Sequence, residues 1–552
     1  MNVITLQREK EVKVILTLLF ILGSLALNGQ DDPFSYYYRI HFRDKGENIP
    51  GNYLSTDLLS ERAINRRIKA GITVPDVIDI PVSREYINSI KSLGLTLHCT
   101  SKWMNTALFK SQQVFNTDLI LSLPFVDEVL AVRMPSGKSN YIDKLDFTID
   151  QNDPPPFDFH ITMLKGNSLH SSGYNGKGIL IAVLDGGFIN ADQIPSLANL
   201  HNRKGIIDTY DFVKNDSFVY SYNTHGTAVL SVLAGQIEGY IQGTAPGADF
   251  LLLRTEDTFS ESAAEEDFWA AGAEFADSAG ADIISSSLGY FNFDNPSLNY
   301  KYSDLDGNTI FVTRAADIAA SKGILVVNSA GNERNKEWKH IIAPSDGDSV
   351  IAAGAVDGNR VIADFSSAGP SADRRIKPDN TALGVSVTIQ TSVSEVQRGN
   401  GTSFSCPVLS GMTACLMQAV PDATNIEIIN ALHSSADRFL APDSVYGYGI
   451  PDMVRTLVTL QNLHLKIPDT ETIAGPNPTT GEIEVIFREP PEKIKIEIFT
   501  SSGVKIFNKN IDNYPGRSLR ISALNNRQQG LYFLRLTTGT GSYLHKIIKL
   551  NR

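Results

Sequence analysis

Four short stretches hold the residue types that nucleophilic hydrolysis needs. "NGTSFSCP" (400–407) places Ser403 ahead of an apolar helical run, and "NTHGTAVLSVLAG" (223–235) carries His225 at the start of another. "LIAVLDGGF" (180–188) ends a buried apolar run on Asp185, and "NSAGNERN" (328–335) carries Asn332 on a turn. A serine hydroxyl needs a base to take its proton, a carboxylate to hold that base in the right tautomer, and donors to receive the oxyanion. The chain offers one candidate for each task. Taken singly, Asp185 and Asn332 could be turn residues and His225 a helix cap; it is the set, at strand ends and helix starts, that points to catalysis.

Ser403, Ser405 and Cys406 compete for the role of nucleophile. Ser403 comes first, where unpaired N–H groups and the positive end of the helix dipole would support a developing oxyanion. Ser405 and Cys406 are expected to pack inside the helix, away from that rim. Pro407 is expected to fall in the first turn, where its missing N–H costs least. Gly226, after His225, is expected to leave room for a substrate.

These residues must be held by elements that the hydrophobic pattern shows. "GILIAVLD" (178–185), "ADFLLLRTED" (248–257), "ADIISSSLG" (281–289), "GILVVNSAGN" (323–332) and "SVIAAGAVD" (349–357) are near-continuous apolar runs. Strands buried on both faces read this way, and helical stretches between several of them predict a parallel sheet covered by helices. Ligands bind such a sheet at the carboxyl ends of its strands. Asp185, Asn332 and the Ser287, Leu288, Gly289 segment all sit at such ends.

The flanks have other textures. "YYYRIHFRDK", "LTLHCTSKWMNTALFK" and "DEVLAVRM" read as strands, and "SREYINSIKSLG" and "NTDLILSLPFV" as helices, which makes a compact α+β unit. The polar stretch 134–160, with Pro154 to Pro156, is an exposed connector open to proteolysis. From about residue 472 short strands take over. In "KIKIEIF" Ile494, Ile496 and Ile498 alternate with Lys493, Lys495 and Glu497, predicting a small all-β sandwich with one wet face. Residues 1–30 have a basic, then apolar, then small-residue layout, that of a signal peptide cleaved near Gly29 or Gln30; an uncleaved anchor is the competing reading.

Bulk properties narrow the function. The net charge of −12 makes nucleic acid a poor partner. Three cysteines, Cys99, Cys406 and Cys415, do not make a disulfide framework and are expected to be buried small apolar side chains. "YSDLDGNT" (302–309) is oxygen-rich, yet Asp304 and Asp306 lack the spacing of an EF-hand and read as a turn. No metal or other cofactor is expected; a structural calcium ion is left open.

The four motifs, in the order Asp185, His225, Asn332, Ser403, resemble those of the subtilases, the subtilisin-like serine peptidases, over about residues 160 to 460. The Asp, His, Ser order is that family's, and it differs from the chymotrypsin order. The resemblance implies that Ser403 is the nucleophile, His225 the general base and acid, Asp185 the orienting carboxylate and Asn332 the oxyanion donor. Ser287, Leu288 and Gly289 in "SSSLG" would bind the substrate backbone around the primary pocket. Gly186 departs from the family, which usually has Ser or Thr after the aspartate; this puts the fine positioning of Asp185 in doubt. Glu333, next to Asn332, would favour basic side chains in the primary pocket.

The N-terminal unit resembles subtilase propeptides, with a separate binding domain as the alternative. The C-terminal sandwich resembles the sorting domains of Bacteroidetes type IX secretion, with a carbohydrate-binding or adhesive sandwich as the alternative. The implied organisation is a signal peptide (1–29), a propeptide-like α+β domain with linker (31–155), a subtilisin-like α/β domain (160–460) and a β-sandwich (472–552). The implied product is an exported serine endopeptidase, extracellular or at the cell surface, without a membrane span after signal cleavage. Its partners would be protein or peptide substrates, its own propeptide as inhibitor, and the secretion machinery. The competing reading is a catalytically silent secreted binding protein of the same fold.

Overall fold

The apolar runs become neighbouring strands of one seven-stranded sheet in the computed structural model, which describes residues 35–135, 145, 147–149, 156–464 and 472–550. The proposed signal peptide lies outside these residues. The spatial order is Asn380–Leu383, Val350–Val356, Leu325–Ser329, Ile283–Ser286, Leu180–Asp185, Asp249–Arg254, Ile206–Asp211, with every neighbouring pair parallel. From Leu180–Asp185 the chain first builds toward one edge and then, with Ile283–Ser286, toward the other. The order reverses between these two strands. That is where a doubly wound sheet opens a crevice at its carboxyl end.

The two edge strands escape the pattern that reveals the others. Ile206–Asp211 is largely exposed or half-buried, and Asn380–Leu383 is short and half polar, so neither reads as a continuous apolar run. The helix Thr402–Ala419 is buried from Thr402 to Met417. A helix apolar on all sides belongs inside a protein, and this one packs on the sheet and on the helix His225–Ala234.

The N-terminal unit is a four-stranded antiparallel sheet in the order Thr96–Ser101, Thr106–Ser111, Tyr36–Phe42, Val126–Arg133. The expected helices form at Arg84–Ser92 and, shorter than the sequence suggests, at Asp118–Leu121. A further helix spans Glu61–Lys69. The face of this sheet carrying Tyr37, Leu108 and Val132, together with Trp103 and Met104, shares one hydrophobic cluster with Phe268, Trp269, Phe311 and Val312 of the helices Ala264–Ala279 and Phe311–Ser321.

Buried polar groups register this interface. Arg39 donates to both carboxylate oxygens of Asp267 (2.7 to 3.0 Å), to Glu266 (3.3 Å) and to the carbonyl of Ala263 (2.8 Å), and its guanidinium stacks 3.7 Å from the Phe311 ring centre. Glu274 accepts from the Ser101 hydroxyl and from the backbone N–H groups of Lys102 and Trp103. Burial raises the Glu274 carboxyl above its ordinary range, and Lys102 with these donors pulls it back. Removing one partner of a buried ion pair strands the others, at about 3–5 kcal/mol. Arg39→Ala is therefore expected to destabilise the full-length chain by about that much, read as a shift in its urea unfolding midpoint, whereas an exposed change such as Lys91→Ala is expected to move it by under about 0.5 kcal/mol.

The chain divides into two compact units, the first ending at Leu457 and the second beginning at Val458. The second contains two antiparallel sheets that share one core of Ile483, Val485, Ile494, Ile496, Ile498, Leu534, Leu536 and Ile547. The predicted inward isoleucines are buried. Glu497, predicted to be on the wet face, is 4 % exposed because Lys495 and Lys505 fold over it and pair with it.

Among the described residues, no helix is long and apolar enough to cross a membrane.

Candidate active site

The crevice at the switch point is a cleft of about 690 Å³ lined by His225, Ser287, Leu288, Gly289, Asn332 and Ser403, among others. Asp185, fully buried, lies behind His225. All seven residues singled out in the sequence therefore meet at one place.

Asp185 is the last residue of its strand, where the sheet ends and a side chain can face the crevice. Its two carboxylate oxygens lie 2.9 and 3.0 Å from His225 Nδ1. One of them also accepts from the Gly186 backbone N–H at 2.7 Å. The backbone thus supplies a local hydrogen bond to Asp185 without a side chain at position 186. His225 opens its helix, with its own N–H capped by Asn223 Oδ1 at 2.7 Å. Gly226 does not make room for substrate as expected. A Cβ there would meet the Gly187 carbonyl and the Phe188 ring, so glycine lets the helix pack closely on the Asp185 loop.

Ser403 is the second residue of the helix Thr402–Ala419 and is 8 % exposed. Pro407 is the sixth residue of that helix, beyond the first turn where the sequence reading put it. A proline inside a helix leaves the carbonyl four residues back without its usual donor, and here that carbonyl belongs to Ser403. The Ser287 hydroxyl takes the vacant place, donating to Ser403 O at 2.9 Å. The proline is tolerated because a strand-end side chain satisfies the group it orphans, and that bond ties the first turn of the helix to the "SSSLG" segment.

Ser405 and Cys406 are buried inside the helix packing. Ser405 Oγ donates back to the Thr402 carbonyl at 3.0 Å. Cys406 Sγ lies 3.4 Å from the carbonyls of Ser286 and Val327, and burial pushes its thiol up to about 11. A thiol so held is a poor source of thiolate at neutral pH. Cys99, Cys406 and Cys415 are all free; the last two are buried and Cys99 is half-buried.

Asn332 Oδ1 accepts from the Thr402 backbone N–H (3.0 Å) and from the Thr402 hydroxyl (2.9 Å). A backbone N–H can only donate, so the amide oxygen must face Thr402. Its nitrogen end is left toward the cleft, close to Gly401 and Ser403. Glu333 also lines the cleft but is paired with Lys336 at 2.9 Å, which offsets the negative charge expected to attract basic side chains.

The sequence matches a model of the subtilase family over residues 176–449. The central domain belongs to the subtilase family. A model of the peptidase S8 propeptide domain of Bacteroidota matches residues 37–144, and a model of the secretion system C-terminal sorting domain matches residues 475–550. Subtilisin DY of Bacillus licheniformis is 28% identical over 295 residues, 53% of this chain and 95% of the relative. Subtilisin E of Bacillus subtilis (strain 168) is 29% identical over 299 residues, 53% of this chain and 69% of the relative. The thermophilic serine proteinase of Bacillus sp. (strain AK1) is 31% identical over 246 residues, 44% of this chain and 54% of the relative. This homology supports a subtilisin-like serine protease, and its sorting domain marks it as secreted or displayed at the cell surface.

Two features of this subtilase cleft are not read from the sequence. Glu256 and Glu261 line it, and with Glu265 they bring carboxylate oxygens within 4.8 Å of one another. Glu256 follows the strand Asp249–Arg254 by two residues, so the strand-end rule that finds Asp185 could also have found it. Leu145, Phe147 and Thr148 of the connector also line the cleft. Nothing in their local pattern marks them, because their place is set by pairing with a segment some 250 residues away.

Proposed function

We propose that this subtilase is a secreted serine endopeptidase that cleaves peptide bonds in proteins through an acyl-enzyme on Ser403. The reading rests above all on one observation: a buried carboxylate, Asp185, holds His225 Nδ1 with both oxygens at the wall of a cleft that Ser403 and Asn332 also line. In this reading Asp185 keeps the Nδ1 proton in place, so that His225 Nε2 is the basic nitrogen. That nitrogen takes the Ser403 proton as the hydroxyl oxygen bonds to the substrate carbonyl carbon. Asn332 Nδ2 and the Ser403 backbone N–H receive the oxyanion, the Thr402 N–H being held by Asn332 Oδ1. His225 then gives the proton to the leaving amine, and water, activated by the same ring, hydrolyses the ester.

The proposed organisation is a signal peptide over 1–29, a propeptide with linker over 31–155, the peptidase domain over 160–460 and the sorting sandwich over 472–552. The substrates are proteins or peptides, bound through Ser287, Leu288 and Gly289.

A fluorophosphonate probe tests the nucleophile directly, since it labels an activated serine and spares an ordinary one. Labelling at Ser403 of the wild type is expected, and a mature protein that stays unlabelled speaks for a silent binding protein. Asn332→Ala is expected to lower kcat by about 10² to 10³ with little change in KM, the range known for this donor in a subtilisin. An equal rise in KM would move Asn332 from transition-state stabilisation to ground-state binding.

A further inference from the structure

The connector residues in the cleft show where the chain meets its own active site. Thr148 pairs with Asn400 and Ile149 with Gly399 in an antiparallel bridge, and Asn400 Nδ2 donates to Thr148 Oγ1 at 3.2 Å. In an antiparallel pair, stepping back along one strand is stepping forward along the other. The chain read backward from Thr148 is therefore directed along Gly401 and Thr402 toward Ser403. Phe147 stands edge-to-face on Phe404, the residue after Ser403, with ring centres 5.3 Å apart, and 6.1 Å from the His225 ring.

Leu145 supplies the other contact. Its side chain occupies the space over Gly186, where any Cβ would collide with it, and Thr258 borders the same space. The departure from the family at position 186 thus has a physical role: glycine opens a hollow beside Asp185, and the chain's own leucine lies over it. Leu145 thus lies over the residue after Asp185, and Phe147 lies against the residue after Ser403 and near the His225 ring.

We propose that maturation cuts the peptide bond made by the Phe147 nitrogen, leaving Phe147 as the N-terminus of the mature peptidase. The proposal rests on the Ser403 reading. Ser403 Oγ bonds to the carbonyl carbon before Phe147, its proton passing to His225. The C–N bond then breaks, and His225 gives that proton to the nitrogen that becomes the Phe147 amine. Water hydrolyses the ester, leaving a carboxylate on the departing propeptide and restoring the Ser403 hydroxyl. The propeptide match ends at residue 144 and the subtilase match begins at 176, so a cut before Phe147 severs neither.

The test is N-terminal sequencing and intact mass of the purified full-length product, with fluorophosphonate labelling and peptide hydrolysis measured on the same sample. The expected result is a labelled, active protein beginning at Phe147. A labelled, active protein that begins elsewhere, or that keeps its propeptide attached, overturns the cut site and leaves the Ser403 reading standing. An unlabelled, inactive, full-length protein overturns both. Phe147→Pro is a second variant, because a proline nitrogen carries no hydrogen and restrains the residue before it. Propeptide removal is expected to slow by about tenfold or more, with the cut before residue 147 lost. Maturation of that variant at the wild-type rate would also overturn the proposal.

Discussion

Replacing Ser403 by alanine is expected to lower kcat for peptide hydrolysis by about 10⁶, the loss known for the nucleophile of a subtilisin. The fold should survive. The group that ties this residue into the structure is its backbone carbonyl, held by Ser287 at 2.9 Å, and alanine keeps that carbonyl. Alanine is also a good helix former, so the start of Thr402–Ala419 is not weakened. The oxyanion donors remain, and with substrate binding they leave a residual rate of about 10³ to 10⁴ over water. The measurement is kcat/KM on a peptide substrate beside the thermal unfolding of both proteins. A variant of unchanged unfolding and normal activity removes Ser403 as nucleophile. A variant inactive because it is unfolded is recognised by its melting curve.

The strongest sequence signals come from residues whose environment is set locally. A strand buried on both faces must be apolar throughout, so Leu180–Asp185, Asp249–Arg254 and Val350–Val356 stand out by their hydrophobic pattern alone. Once those strands are placed, their ends single out Asp185, Asn332 and Ser287. Edge strands lack that constraint, which is why Ile206–Asp211 and Asn380–Leu383 pass unnoticed. The misreadings at Pro407 and Gly226 have one cause. Each residue answers to a partner distant in sequence, Ser287 for the carbonyl that Pro407 orphans and the Asp185 loop for Gly226. The same holds for Gly186, which looks like a defect beside Asp185 until Leu145 is placed over it. Chemistry-bearing residues are legible one at a time, whereas the contacts that orient them are set by the fold.

Asp185→Asn separates position from charge. The side chains are nearly the same size, so the packing behind His225 should hold, and the change lies in which atoms donate. Asp185 accepts from two donors, the Gly186 N–H at 2.7 Å and the His225 ring at 2.9 and 3.0 Å. An asparagine has one acceptor and one donor end. The Gly186 N–H can only donate and therefore claims the oxygen at the Oδ1 position, which puts the amide nitrogen at the Oδ2 position, 3.0 Å from His225 Nδ1 and able to donate to it. A ring nitrogen that accepts a hydrogen bond carries no proton, so the neutral ring holds its proton on Nε2, the atom needed as base. The geometry survives while the base is lost. The expected fall in kcat is about 10⁴, the loss known for this substitution in a serine peptidase of another fold, with KM little changed. Kinetics on a short peptide, with unfolding measured alongside, decide the matter. A fall of less than about tenfold means that the His225 tautomer is set by something other than Asp185, and the carboxylate would then be a structural cap of the strand end.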